Sequence, residues 1–182
     1  MVPGDYRVEL TVGSETQAAE FSIVKDPRLP TSPEDYASQF ALLKQLNDKL
    51  SALNGAVNRI RRVNRQLRAL AEQVGDHHAD LAEKAKSAGQ ILGAIESVLV
   101  DVNRESPRDT LRHPAGLNDT LVDLINTVAI ADTAPTTQAD AVSREIMAHV
   151  DAEIAKLDTL LASDIADINR MAAERSIAHV TG

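Results

Sequence analysis

Three groups of side chains in this sequence are of types that do chemistry: the histidines, a run of arginines, and two polar residues set into an apolar seam. His77 and His78 are adjacent. Successive residues of a helix point in different directions, so they do not form the i, i+4 pair that a helical metal site needs. His113, His149 and His179 stand without a nearby ligand pattern. The chain has no cysteine, which removes thiolate metal sites, cysteine nucleophiles and disulfides together. Zinc-protease, nucleophile-elbow, P-loop and dinucleotide-binding signatures are all absent. No catalytic residue, metal or cofactor is therefore expected. Asp101, Asp119 and Asp123 read as solubilising charge on exposed helix faces.

Residues 59–68 carry the five arginines Arg59, Arg61, Arg62, Arg65 and Arg68. A basic stretch of this density suggests nucleic acid. Two features speak against it. No aromatic is interleaved for base stacking, and the chain has a formal net charge of −8. The arginines also fall at outer and flanking heptad positions. Cross-helix ion pairs with Asp164, Asp167 and Glu174 and a solvated face are the expected fate.

Asn64 and Asp164 sit where an apolar residue would be expected, each within a seam of its own helix. They read as a structural polar layer that sets the register, with Arg61 or Arg68 as counter-charge. These four residues can meet only if long helices place them at one height.

Leu43, Leu46, Leu50, Leu53, Val57, Ile60, Asn64, Leu67, Ala71 and Val74 follow one another at steps of three and four. That is an a/d seam of one long amphipathic helix over residues 32–75. Ser32-Pro33-Glu34-Asp35 starts it, with Ser as N-cap, Pro at the first helical position and acids at the positive end of the dipole. Gly75-Asp76 reads as stop and restart, with Asp76 as the next N-cap. Gly55 lies inside the helix and could mark a close approach. A second helix is expected to about Asn103, with Leu81, Ala85, Ala88, Leu92, Ile95, Leu99 and Val102 inward and its small residues allowing close packing. An irregular loop spans 106–116. A short third helix over 117–131 turns Leu117, Leu121, Leu124, Ile125 and Val128 inward. A fourth, over 137–176, has the seam Met147, Val150, Ile154, Leu157, Leu161, Asp164, Ile168 and Met171. The last six residues are expected to fray.

Length selects the topology. At ~1.5 Å per residue the first and fourth helices are each on the order of 60 Å, and the second and third together span about the same. The expected fold is mainly α: an elongated three-arm antiparallel helical bundle whose middle arm is broken into two helices, with an N-terminal β-hairpin. The alternative, an up-down four-helix bundle, would leave half of each long seam short of partners. It would also put Asn64 and Asp164 at different heights.

The hairpin comes from alternation. Tyr6, Val8, Leu10 and Val12 alternate with Arg7, Glu9 and Thr11, and Ala19, Phe21 and Ile23 alternate with Glu20 and Ser22. Two strands alone are marginal in water. Their apolar face must pack on the helices, on a second copy, or on strands missing from this sequence; missing strands are favoured. Residues 1–26 are thus the hairpin, 27–31 a linker stiffened by Pro27 and Pro30, and 32–182 the bundle. The N-terminus lacks a basic region followed by an apolar one, so it does not read as a signal peptide. No apolar run approaches a membrane span.

Several stretches resemble one family. They are Pro3-Gly4-Asp5-Tyr6-Arg7-Val8-Glu9-Leu10-Thr11-Val12, Phe21-Ser22-Ile23-Val24-Lys25-Asp26-Pro27-Arg28 and Leu53-Asn54-Gly55-Ala56-Val57-Asn58-Arg59-Ile60-Arg61, with Pro114-Ala115-Gly116-Leu117-Asn118 and Ala131-Asp132-Thr133-Ala134-Pro135-Thr136. Together they are similar to the C-terminal region of bacterial sortilin-type β-propeller proteins, often labelled glycosyl-hydrolase-like, with Asp-box repeats. The resemblance implies that the hairpin closes an immunoglobulin-like domain, that helices end the chain, and that any catalytic site belongs to the propeller. It implies a periplasmic or extracellular location. Residues 175–179 depart from the apolar, proline-containing end of that family.

The functional expectation is a non-catalytic structural or interaction region, accessory to a larger exported protein. Its partner would be the rest of that chain or another protein, with no small-molecule substrate. A self-standing coiled-coil adaptor that dimerises or binds a partner helix is the alternative. Nucleic-acid binding through residues 59–68 is the remaining one.

Overall fold

The computed structural model describes residues 2–106 and 113–182. Strand β1 (Gly4–Val12) pairs antiparallel with β2 (Glu15–Ile23), and Val12 lies opposite Glu15. That register leaves Gly13-Ser14 as a two-residue turn. Gly13 has φ +62° and Ser14 is not in the left-handed region, the pattern of a type II′ turn with glycine first. Directly opposed residues share a face. Tyr6, Val8, Leu10 and Val12 therefore lie on one side with Ala19, Phe21 and Ile23.

Helix α1 (Pro33–Val74) begins with a complete capping box. Ser32 Oγ accepts from the Asp35 N–H at 3.1 Å, and Asp35 Oδ2 accepts from the Ser32 N–H at 3.0 Å. At its far end Gly75 takes φ +46°, a conformation that favours glycine. The chain reverses through a 3₁₀ turn, Gly75–His78, into α2 (Ala79–Leu99). Asp76 lies inside that turn and does not cap α2, whose N-cap is His78 without a side-chain bond.

Helix α2 stops at Leu99, short of the expected Asn103. Val100 is extended, and Asp101 Oδ1 accepts from the Asn103 N–H at 2.9 Å, an Asx-type turn that competes with helix. Val102 consequently stays exposed. The middle of the loop expected over 106–116 lies outside the described residues. Helix α3 (Leu117–Ala129) then continues along α1, and α4 (Thr137–Leu160) starts at a Thr136 cap.

Pairs along the bundle fix its direction. Arg61 meets Glu96 and Gln39 meets Val128, so α2 and α3 both run antiparallel to α1. Lys49 meets Asp151 and Arg59 meets Asp158, so α4 runs parallel to it. The molecule is a three-arm bundle with a jointed middle arm; its α1 spans about 63 Å. In the centre of α1, Leu46, Leu53, Ile60, Leu67 and Val74 recur every seven residues and are at most 3% exposed. Two flanking rows serve two neighbours. Leu42, Ala56, Val63 and Leu70 are buried on one flank, and the half-buried Leu43, Leu50, Asn64 and Ala71 form the other.

The last arm carries a correction. A five-residue π turn, Leu161–Ile165, interrupts it before α5 (Ala166–Ala173). A π turn inserts one residue into the helical count. Val150 and Leu157 are seven apart, but the next fully buried residue on that line is Ile165, eight further on. The uninterrupted seam expected Asp164 there; Asp164 is displaced to a half-buried flank.

The end of the chain is a second correction. It does not fray. Ser176 takes φ +58°, and Ile177 N–H returns to Ala172 O at 2.9 Å, a Schellman-type stop. Ile177 packs against the core and Val180 is 5% exposed.

Candidate functional site

Of the four residues expected to form a polar layer, Asn64 and Arg68 line one groove, while Arg61 and Asp164 have other neighbours. Asn64 on α1 lies against Gly89 of α2, where an added Cβ would come 3.0 Å from Asn64 Oδ1. The small residues of α2 do admit α1 closely, as their spacing suggested. Arg61 Nε donates to Glu96 Oε1 at 2.6 Å. Arg68 lines the open groove beside Asn64, Gly89 and Lys86. Asp164 lies next to Ile91, and its Oδ2 accepts from Ser163 Oγ at 2.8 Å. The π turn is the physical reason that Asp164 faces α2 from the rim and not from the core. Gly55, in contrast to Gly89, marks no approach: a Cβ there would meet nothing within 4 Å.

The arginine stretch is divided among neighbours. Arg59 pairs with Asp158 at 2.9 Å and Arg61 with Glu96. The acids expected as their partners are otherwise engaged: Asp167 with Lys84 and Arg170, and Glu174 with Arg170. Arg62, Arg65 and Arg68 are exposed.

Among titratable groups, hydrogen bonding to the charged form is the main perturbation. Arg28 beside Asp26, Arg175 beside Asp80 and Lys84 beside Asp167 each hold the carboxyl below the ordinary aspartate range. Burial, then the nearby Asp132 carboxylate, push the Tyr36 hydroxyl up. These groups sit in the linker, at the start of α1 and between α2 and the last arm. They do not converge on one reacting centre. Among the described residues, no group of three or more His, Asp or Glu side chains is arranged to hold a metal.

Sequence reasoning missed three polar features. Glu153 is 3% exposed on α4, with Lys156 Nζ at 2.6 Å and His149 Nε2 at 3.8 Å; a mid-helix glutamate gives no outward sign of burial. Asp101 and Asp119, expected to be solvated, instead close the α2–α3 joint. Arg104 grips Asp119 through two bonds of 3.1 and 2.8 Å, and Asp101 Oδ2 is buried beside Asn118. Asp123 is exposed, as expected. Finally, Gln66 and Asn169 hold the tail. Asn169 exchanges two hydrogen bonds with the backbone of Val180, and Gln66 does the same with Thr181.

The feature best suited to recognition is the hairpin face. Val8, Leu10, Val12 and Phe21 are 53, 65, 69 and 44% exposed. The Tyr6 and Phe21 rings stack at 5.7 Å between centroids. The opposite face is polar, with Arg7 bound to Glu9 at 2.8 Å and Ser22 to Asp5 at 2.5 Å. One face of the hairpin is thus apolar and uncovered in this chain. The linker holds its base on the bundle: Lys25 Nζ donates to Thr31 O at 3.1 Å, and the buried Thr31 donates its hydroxyl to Asp132 O.

No protein-family model matches the chain, and no curated protein or solved structure matches it either. No helix among the described residues is long and apolar enough to cross a membrane.

Proposed function

We propose that this chain is a non-catalytic structural and interaction region that belongs to a larger exported protein of the sortilin-type β-propeller kind its sequence resembles. In that reading the hairpin lends two strands to an immunoglobulin-like sandwich, and the bundle is a rigid arm carried behind it. The observation that supports it is the hairpin's apolar face. Seven apolar side chains on one side of two strands have a stabilising role only when another layer covers them. The dispersal of the perturbed titratable groups also favours packing over chemistry.

The test is the natural protein. An antibody against the bundle should detect, in the exported fraction of source cells, a polypeptide well above the 19.6 kDa of this chain. A band at that mass in the cytosol contradicts the proposal.

The same uncovered face favours one second reading, a self-standing adaptor that dimerises. It requires a mass by light scattering that rises with concentration, which the accessory-region reading does not.

A further inference from the structure

The tail is seated in a way that goes beyond chain termination. It runs back from Ser176 between α1 and the last arm. Val180 lies beside Asn169, Thr181 beside Gln66, and Gly182 beside Arg59 and Leu161, where a Cβ would lie 3.6 Å from both side chains. The sequence numbers fall along both walls as they rise along the tail, so the tail is antiparallel to both helices.

The bonding has the form of a strand between two partners. A side-chain amide offers one acceptor and one donor group, which matches the N–H and C=O of one extended residue. Asn169 Oδ1 accepts from Val180 N–H at 2.7 Å, and its Nδ2 donates to Val180 O at 2.8 Å. Gln66 Oε1 accepts from Thr181 N–H at 2.8 Å, and its Nε2 donates to Thr181 O at 3.0 Å. In an extended chain, successive residues present these groups to opposite sides. Two amides on two different helices therefore read the two edges of one strand. The backbone bonds carry no sequence preference; the buried Val180 side chain supplies one, for a small β-branched residue.

We propose that the groove between α1 and the last arm is a binding site for an extended peptide, closed in this structure by the chain's own residues 177–182 acting as a displaceable strap. The occupant it fits has a β-branched apolar residue followed by a residue with a free N–H. The strap competes from within the chain, at an effective concentration on the order of millimolar for so short a tether. A peptide from outside must then reach similar concentrations, unless the strap is first weakened.

The experiment uses the full chain and its V180D variant, which puts a carboxylate into the apolar seat and ejects the strap. The probe is a fluorescent hexapeptide of residues 177–182 with both ends blocked, followed by anisotropy. Saturable one-to-one binding to V180D, at least tenfold weaker binding to the unaltered chain, and a loss of tenfold or more in V180D/N169A are expected. If V180D alters the helical circular dichroism, Thr181→Pro replaces it, because it removes the N–H and the hydroxyl that Thr181 gives to Gln66 and leaves the Val180 seat intact. Equal binding to the unaltered chain and to the variant, or binding to neither, overturns the proposal. So does unprotected exchange of the Val180 and Thr181 amides in the unaltered chain.

Discussion

Gln39 Nε2 donates to Val128 O at 2.7 Å, from the first third of α1 into the last turn of α3. The same nitrogen donates to Ala131 O at 2.6 Å. A helix end leaves carbonyls without intrahelical partners, and here a buried glutamine supplies the donor to Val128 O, while Ala131 O also accepts from the Thr133 N–H at 3.0 Å. Gln39→Ala should cost about 1–3 kcal/mol, because the buried Val128 O loses its Gln39 donor. Chemical denaturation checks this. A change within ~0.5 kcal/mol would mean that water replaces the amide freely.

Gly116 and Gly55 should respond in opposite directions to alanine. A Cβ at Gly116 would come 2.7 Å from Val100 Cα and 2.9 Å from Asp101 N, so backbone must move to admit it. Gly116→Ala should destabilise by about 1–3 kcal/mol through overpacking at the α2–α3 joint. A Cβ at Gly55 meets nothing, in the interior of α1. Gly55→Ala should stabilise by up to about 1 kcal/mol through helix propensity. Thermal melts of the two variants separate the effects by sign.

The π turn makes neighbours unequal. Ile165 is 3% exposed, whereas Asp164 lies at the rim. Ile165→Ala should cost about 2–4 kcal/mol as a core truncation. Asp164→Ala should stay within about 0.5 kcal/mol. Equal costs at the two positions would mean that the last arm keeps an uninterrupted helical count.

These positions show what the sequence could and could not carry. The start of α1 was readable because its cap, proline and acids are contiguous from Ser32 to Asp35. The centre row from Leu46 to Val74 was readable because it repeats every seven residues. The π turn was not, since steps of three and four through Leu157, Leu161 and Asp164 fit an ordinary helix equally well. The tail was missed because residues 177–182 have no periodicity, and one clamp, Gln66, is 115 residues from Thr181. Alternation in the hairpin says which residues share a face. It does not say what covers that face.

Acid should weaken the ties of α2 to the last arm and tail. Lys84 Nζ lies 2.9 Å from Asp167 Oδ2, and Arg175 Nη2 lies 2.7 Å from Asp80 Oδ2. Both aspartates have folded pKa values lowered below their ordinary ones, chiefly by these hydrogen bonds. A lowered folded value gives stability that is fully present above the ordinary aspartate range, about 4. It is lost as pH falls through the folded values. Both pairs are exposed, so the effect is small and salt-sensitive. The melting temperature of Lys84→Met should fall below that of the unaltered chain at pH 7, and the gap should close near about pH 2. A gap that persists in acid would assign it to the lysine's methylene packing instead.

The central claim is that the helices form a finished body while the hairpin awaits a covering layer. Native-state amide exchange on the dilute chain tests it most directly. The amides of α1 from Leu46 to Leu67 should exchange only through global unfolding, and those paired across β1 and β2 should show little protection at any concentration. Strand amides as slow as those of α1 in a dilute monomer would contradict the account, because the hairpin would then be complete without a partner.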